Sequence, residues 1–143
     1  LLAQIGELTG QIRGFDRRIE ALCKERYPET IVLRQIKGVG PITSLCFVLT
    51  IEDPTRFRQR RAVGAYLGLR PKSRQSGKSN PQLRITKEGD RMLRRLLVSS
   101  SRYILGPFGK DCELRRYGER IAVRGGKNAK KRAAVAVART ASS

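Results

Sequence analysis

The sequence predicts an all-α fold. A coiled-coil-like N-terminal helix is expected to precede a helical domain with a helix-hairpin-helix motif and a basic loop or small β-hairpin. The first observation behind this prediction is a series of apolar residues near the N-terminus. They are spaced alternately four and three residues apart, which is the a/d pattern of a heptad repeat. The second is a Gly-Val-Gly turn between two short apolar segments, and the third is a turn-rich, basic stretch over residues 68–88. The heptad positions are Leu1, Ile5, Leu8, Ile12, Phe15, Ile19 and Leu22.

The a/d stripe indicates a helix that ends at Tyr27-Pro28, because the residue before a proline avoids the helical region. Two interpretations stay open: the helix packs on its own domain, or it pairs with another helix, for instance in a homo-oligomer. Residues 1–27 are therefore predicted to be the end of a coiled-coil helix, and residues 28–143 the domain proper. Since the stripe has no N-cap before it, we expect Leu1 to be a cut point in a longer protein.

The next elements form the predicted helix-hairpin-helix motif. A short helix over about Thr30–Lys37 is expected to lead through Gly38-Val39-Gly40-Pro41 into a helix over about Ile42–Thr50. Glycine permits the tight turn, and the free N–H groups at the start of the second helix can bind a phosphate oxygen. Gly38, Val39 and Gly40 are therefore candidate DNA-binding residues.

Further helices are predicted along the rest of the chain. Asp53 is expected to cap a short helix, and another helix is expected to end before Gly68. A helix over about Glu88–Leu105 should have Thr86 or Asp90 as its cap, and its inward positions are Leu93, Leu96 or Leu97, Ser100 and Ile104. A helix over about Lys110–Val123 follows, and after the turn Arg124-Gly125-Gly126 a last helix ends near Arg139.

The net charge of +19 makes nucleic acid the leading partner. Between Pro54 and Arg102 there are 14 basic residues against two acidic ones, whereas residues 1–53 are neutral. No apolar run approaches the roughly 18 residues that a membrane span needs, and a cytoplasmic, nucleoid-associated protein of a bacterium or archaeon is expected. The basic residues predicted to bind DNA are Arg70, Lys72, Arg74, Lys78, Lys87, Arg91, Arg94 and Arg95.

The chain contains no histidine, which excludes Ser-His-Asp catalysis, Cys-His catalysis and histidine-ligated metal sites within it. Its three cysteines are widely spaced and odd in number, so we expect reduced thiols and no metal or disulfide framework. No metal site and no cofactor are predicted in this chain.

Ser76, in Arg74-Gln75-Ser76-Gly77-Lys78, is the candidate for covalent chemistry. Without histidine, only arginine and lysine could activate its hydroxyl here, by favouring the alkoxide and by stabilising charge on a phosphate under attack. The alternative is a loop serine that hydrogen-bonds phosphate or nothing, and composition alone favours it. Competing serines are Ser73, Ser79 and the run Ser99-Ser100-Ser101.

Three motifs in order resemble one family, the Piv-like insertion-sequence transposases, also known as bridge-RNA-guided recombinases. The resemblance covers residues 30–105 closely and the tail loosely. The motifs are Ile36-Lys37-Gly38-Val39-Gly40-Pro41; then Ala65-Tyr66-Leu67-Gly68-Leu69-Arg70-Pro71 with Gln75-Ser76-Gly77; then Thr86-Lys87-Glu88-Gly89-Asp90 with Leu93-Arg94-Arg95-Leu96-Leu97.

The resemblance implies that this chain is the C-terminal transposase domain. Family members carry an N-terminal RuvC-like domain whose DEDD carboxylates hold magnesium, then a coiled coil, then this helical domain. The RuvC-like domain is absent from this chain. The family's nucleophilic serine, which becomes covalently joined to DNA, maps onto Ser76. Asp90 stands where the family pattern has an asparagine.

The sequence thus predicts the DNA-binding and strand-transfer domain of a transposase or site-specific recombinase, with DNA and a guide RNA as partners. The full-length protein is predicted to be an enzyme, and this fragment alone to be inactive. One alternative is a non-catalytic nucleic-acid-binding helix-hairpin-helix module, and a weaker one is a helix-hairpin-helix repair protein.

Overall fold

The computed structural model describes residues 1–74, 76–79, 81 and 83–143. Within these residues it contains seven α-helices and no β-strand, which confirms the all-α fold class. The chain divides into two compact units, residues 1–51 and 52–143. The helices are α1 (Leu2–Glu25), α2 (Glu29–Leu33), α3 (Pro41–Ile51), α4 (Arg60–Tyr66), α5 (Arg91–Leu105), α6 (Glu113–Val123) and α7 (Ala129–Ala141).

The first unit packs the C-terminal end of α1 against α2 and α3. Cys23 and Thr30 are fully buried there, and the Thr30 hydroxyl donates to the carbonyl of Tyr27 at 2.6 Å. At the edge of this contact Arg34 donates two hydrogen bonds of 2.9 Å to the carboxylate of Glu20. This paired geometry ties α1 to the residue that follows α2.

Most of the a/d stripe of α1 is uncovered. Only Ile19 is half-buried, whereas Phe15 and Ile12 are both 60% exposed and Leu8 is 58% exposed. An apolar stripe of this length on one helix face is typical of a surface that another helix covers. The assignment of residues 1–27 to a coiled coil stays a prediction, and the unit to which α1 belongs extends to Ile51.

The second unit has a core formed by α5, α6 and α7, with α4 packed on α7. Its most buried side chains are leucines and small aliphatics, and each buried leucine contributes roughly 2 kcal/mol. Gly118 lets the helices approach, because a Cβ there would lie 2.5 Å from Leu105 and 2.7 Å from Val137. The fully buried large side chains are Leu67, Leu69, Leu93, Ile104 and Val137.

Asp53 caps a single 3-10 turn, Pro54–Arg56, as predicted: its carboxylate accepts from the amide of Thr55 at 2.9 Å. The boundaries of four helices, α2, α5, α6 and α7, differ from the prediction. Helix α2 ends at Leu33, because tighter i to i−3 hydrogen bonds wind the chain towards Gly38, whose φ is +93°.

Helix α5 begins at Arg91 and not at Glu88, since Lys87 and Gly89 have φ values of +60° and +80° that a right-handed helix does not admit. Helix α6 begins at Glu113, after an extended Cys112. Helix α7 starts after Asn128 and continues to Ala141, two residues past the predicted end at Arg139.

Candidate nucleic-acid interface

The described residues between Gly68 and Glu88 form an antiparallel hairpin, one of the two conformations that the sequence left open. Its arms are joined by backbone hydrogen bonds and contain only isolated bridges, so the hairpin is not part of a sheet. The bonds run from Lys87 N–H to the Gly68 carbonyl at 3.0 Å, from Thr86 to Arg70 at 2.9 Å, and from Lys72 to Arg84 at 2.9 Å.

Two glycines close the base of the hairpin: Gly68 lies against Glu88, and Gly89 lies against Tyr66. A Cβ on Gly68 would lie 2.0 Å from the carbonyl oxygen of Glu88, and one on Gly89 would lie 2.1 Å from that of Tyr66. Both glycines have positive φ, +70° and +80°. Only glycine permits this combination of close approach and left-handed backbone, so the base requires both residues.

Ser76 lies at the exposed tip of this hairpin. The amide of Ser79 donates to its carbonyl at 3.2 Å, and the turn between them contains Gly77 at φ +58°. No hydrogen bond from a described residue reaches the Ser76 hydroxyl. Arg74 and Lys78 beside it are exposed, whereas Gln75 of the quoted motif lies outside the described residues.

The cations of the hairpin share its exposed surface. Each is solvent-exposed, and none forms an ion pair with a described residue. Unpaired cations at this density repel one another, and a polyanion would relieve that repulsion. They are Arg70, Lys72, Arg74, Lys78, Arg84 and Lys87.

Asp90 caps α5, so one of the two predicted caps is confirmed. Its carboxylate accepts a 2.6 Å hydrogen bond from the amide of Leu93. Thr86 does not act as a cap, since its buried hydroxyl has no hydrogen-bond partner among the described residues. An aspartate serves this role as well as the asparagine of the family pattern.

The three arginines near the start of α5 have different surroundings. Arg91 and Arg95 are exposed, whereas Arg94 is half-buried and its Nη1 donates to the carbonyls of Leu67 and Glu88, at 3.2 Å and 3.0 Å. Arg94 therefore joins α5 to both ends of the hairpin base. A DNA-binding role for all three arginines stays a prediction.

The predicted helix-hairpin-helix turn lies in the first unit. The amide of Val39 donates to the carbonyl of Ile36 at 3.0 Å, Gly38 is left-handed, and nothing lies within 4 Å of the Cβ position of Gly40. Val39 and Gly40 are half-buried and Gly38 is exposed. Their contact with DNA stays a prediction.

A cleft that the sequence did not predict lies between the hairpin and helices α6 and α7. Of the six basic residues that line it, only Lys87 was among the predicted DNA-binding residues. A usable signal was present, because Lys131, Val135 and Arg139 recur every four residues and so share one face of α7. The other basic lining residues are Arg84, Arg124 and Arg132.

Among the described residues, no group of three or more cysteine, aspartate or glutamate side chains could hold a metal ion. Magnesium prefers several oxygen ligands, and this part of the chain does not offer such a set. None of the described helices is both long enough and apolar enough to span a membrane.

The chain is similar to known proteins of insertion sequences. The model of the Transposase IS116/IS110/IS902 family matches residues 31–105. The transposase for insertion sequence element IS1111A of Coxiella burnetii is 36% identical over 94 residues, which are 66% of this chain and 26% of that protein. The transposase for insertion sequence element IS1328 of Yersinia enterocolitica is 36% identical over 98 residues, 68% of this chain and 29% of that protein.

A longer match is the insertion element IS110 uncharacterized 43.6 kDa protein of Streptomyces coelicolor, which is 30% identical over 125 residues. That alignment covers 87% of this chain and 30% of the relative. The chain thus spans less than a third of the length of these curated relatives.

Proposed function

The chain belongs to the IS116/IS110/IS902 transposase family, and we propose that it is the DNA-binding and strand-transfer domain of an insertion-sequence transposase, with Ser76 as nucleophile. The observation that carries this proposal is the position of Ser76 at the exposed tip of a hairpin whose base is clamped and whose arms are cationic. A tip of this kind can reach a DNA backbone while its base stays fixed on the core.

The charge distribution supports DNA as the partner. Residues 52–143 contain 24 of the 31 basic residues and seven of the twelve acidic ones. Several acidic residues are already engaged within this unit: Asp53 and Asp90 are caps, and Asp111 pairs with Arg116. The hairpin and α5 therefore present uncompensated positive charge, which DNA phosphates would neutralise with release of counterions.

In the proposed reaction, the Ser76 Oγ attacks phosphorus while the bond from phosphorus to a deoxyribose oxygen breaks. The serine hydroxyl loses its proton to water, and the departing oxygen takes one up, so the phosphodiester is exchanged for a serine–phosphate ester. Arg74 and Lys78, the exposed neighbours of Ser76, would stabilise the charge that develops on the phosphate.

Other parts of the function are assigned to the longer protein. The described residues lack a carboxylate cluster for magnesium, so we place that ion in an RuvC-like domain outside this chain. The uncovered apolar stripe of α1 would pair with a second copy and make the protein a homo-oligomer. We further propose that the longer protein binds a guide RNA and is located at the bacterial or archaeal nucleoid. This fragment alone is proposed to be inactive.

One observation favours the alternative of a non-catalytic nucleic-acid-binding module. No described side chain that could act as a base contacts the Ser76 hydroxyl. Under this alternative the cations bind phosphates, and Ser76 is dispensable.

The deciding experiment uses the full-length protein with its DNA substrate and compares Ser76→Ala with Ser79→Ala. Ser79 is an exposed serine of the same tip, so its variant controls for changes in the hairpin. We expect Ser76→Ala to bind DNA normally but to form no covalent protein–DNA adduct on a denaturing gel, whereas Ser79→Ala keeps the adduct. Full recombination by Ser76→Ala would overturn the nucleophile assignment and favour the binding module.

A further inference from the structure

The cleft between the hairpin and helices α6 and α7, here called the α6–α7 cleft, has a volume of about 710 Å3. One wall is the hairpin arm from Leu83 to Lys87 with Pro71 opposite, and the other wall consists of the end of α6 and one face of α7. Its volume lies within the range of about 300–1,000 Å3 that is common for ligand sites. The cleft is thus large enough for a nucleotide-sized group.

The basic residues of the lining, here called the rim of the cleft, outnumber its other polar residues, Tyr117 and Asn128. Six of its fourteen lining residues are lysine or arginine, and none is acidic. None of the six forms an ion pair with a described residue, and only Arg132 donates a side-chain hydrogen bond within the described residues, to the carbonyl of Gly125 at 2.6 Å. The rim therefore carries positive charge that an anionic ligand would satisfy.

Close packing holds the side chain of Arg139, and a hydrogen bond to Gly125 holds that of Arg132. The side chain of Arg139 lies across Gly64 of α4, where an added Cβ would lie 2.8 Å from the Arg139 Cγ. Gly126 lies beside the guanidinium of Arg132, and a Cβ there would be 3.4 Å from its Nη2. The chain thus fixes the stem of one arginine and the head of another at the cleft.

The floor of the cleft is apolar. Leu83, Ile85, Ile121 and Val135 are half-buried there, and Tyr117 contributes an aromatic ring. A surface that binds only phosphates needs no such floor. A cationic rim above an aromatic and aliphatic floor instead matches a ligand with an anionic part and a flat, weakly polar part, as in proteins that bind single-stranded nucleic acid.

We propose that the α6–α7 cleft holds an unpaired nucleotide of single-stranded DNA, with its base against Tyr117 and the aliphatic floor and its phosphates on the rim. A base within a duplex is stacked on both faces and could not reach the floor, so the nucleotide must be unpaired. The thymine methyl group suits this aliphatic floor, and the choice of DNA over RNA follows from the proposed function.

This inference rests on the proposed function in its choice of DNA, and it adds a second contact away from the hairpin tip. Arg84 and Lys87 line the cleft on the same hairpin that carries Ser76 at its tip. A strand held in the cleft would therefore contact the element that presents the serine. In this proposal the cleft binds an unpaired strand, and the hairpin tip carries the reacting serine.

The test measures binding of fluorescent single strands to the 143-residue chain by anisotropy. The probes are oligothymidine, an abasic strand of the same length and charge, and oligouridine. We expect oligothymidine to bind about tenfold more tightly than the abasic strand, which is the scale of one stacked base. Oligouridine is expected to bind more weakly than oligothymidine.

Variants then locate the effect. Tyr117→Ala should abolish the difference between thymidine and abasic strands, whereas Tyr117→Phe, which keeps the ring, should retain it. Val135→Trp fills the floor without altering charge and provides a second test should the alanine variant unfold. Lys131→Ala should weaken all strands and lower the salt dependence by about one counterion, whereas Lys130→Ala, an exposed lysine of α7 outside the lining, should do neither.

Several results would overturn the inference. Equal binding of thymidine and abasic strands by the unaltered chain would mean that the cleft binds phosphate alone, and it would leave the proposed transposase function intact. Tighter binding of oligouridine would replace DNA by RNA as the occupant. Failure of every strand to bind at low salt would also remove the DNA-binding part of the proposed function.

Discussion

Arg94 donates a hydrogen bond to the carbonyl oxygen of Leu67, 27 residues away in the chain, at 3.2 Å. The same nitrogen lies 3.0 Å from the carbonyl of Glu88. One guanidinium thus holds the start of α5 against both ends of the hairpin base. Arg95, the next residue, is exposed to solvent. Adjacent arginines of one basic helix therefore differ in what they contact.

We expect Arg94→Ala and Arg95→Ala to separate stability from binding. Arg94→Ala should lower the free energy of unfolding by about 2 kcal/mol, because two carbonyls lose a charged donor. Arg95→Ala should change it by less than about 0.5 kcal/mol while reducing the salt dependence of DNA binding. Urea denaturation and binding titrations at several salt concentrations measure the two effects. Equal destabilisation by both substitutions would contradict the structure.

The hairpin base should not tolerate Gly68→Ala. The new methyl group would lie 2.0 Å from the oxygen and 2.4 Å from the nitrogen of Glu88, on a backbone at φ +70°. We expect a loss of roughly 3 kcal/mol in the free energy of unfolding. Gly77→Ala is the matched control, since that glycine is also left-handed but has nothing within 4 Å, so only about 1 kcal/mol of backbone strain should result. A Gly68→Ala protein as stable as Gly77→Ala would show that the base is looser than described.

Asp90→Asn should hardly change the free energy of unfolding, whereas Asp90→Ala should destabilise α5. The carboxylate accepts from the amide of Leu93, and an amide oxygen can accept that bond equally well. The alanine variant is expected to lose about 1 kcal/mol of unfolding free energy. Chemical denaturation of both variants tests this, and a destabilised asparagine variant would argue that the negative charge itself is required at the helix start.

The first unit should lose some stability in acid. The guanidinium of Arg34 donates to Glu20 and holds the pKa of that carboxyl below its ordinary value. A pKa lowered by folding contributes stability that is present above the unfolded value and is lost as the pH falls through the folded one. The effect should be small, because the Glu20 side chain is 38% exposed.

Thermal unfolding of residues 1–51 within the whole chain, followed by site-specific probes between about pH 6 and pH 3, measures this dependence. Glu20→Gln should flatten the profile. Glu7→Gln should leave it unchanged, since Glu7 is exposed on α1 and forms no ion pair with a described residue. Identical profiles for the unaltered chain and Glu20→Gln would rule out the pair as the cause.

Much of the helical architecture was predictable because periodic apolar residues determine which face of a helix is buried. Leu93, Leu97 and Ile104 lie in the core as their spacing indicated. Helix ends were less predictable, because they depend on backbone conformation at single residues. Nothing in the side chain of Lys87 indicates its positive φ, which delays the start of α5.

The candidate site was only partly predictable for a related reason. The basic segment and the exposed serine could be inferred from composition and from the family motifs. The α6–α7 cleft could not, because it depends on the hairpin lying against two helices that follow it in the chain by some 30 to 70 residues. Likewise, the sequence did not indicate that Arg94 is half-buried against two carbonyls whereas Arg95 is exposed.

The close contacts that Gly68 and Gly89 make at the hairpin base determine which part of the hairpin can change in length. The arms next to the base are tied to the rest of the unit, because Leu69 is fully buried and Pro71 and Leu83 line the α6–α7 cleft. The exposed tip, Ser76–Ser79, lies beyond these contacts. Lengthening the tip adds only loop-closure entropy, about 0.6 kcal/mol for each doubling, so its reach can change without redesign of the helices.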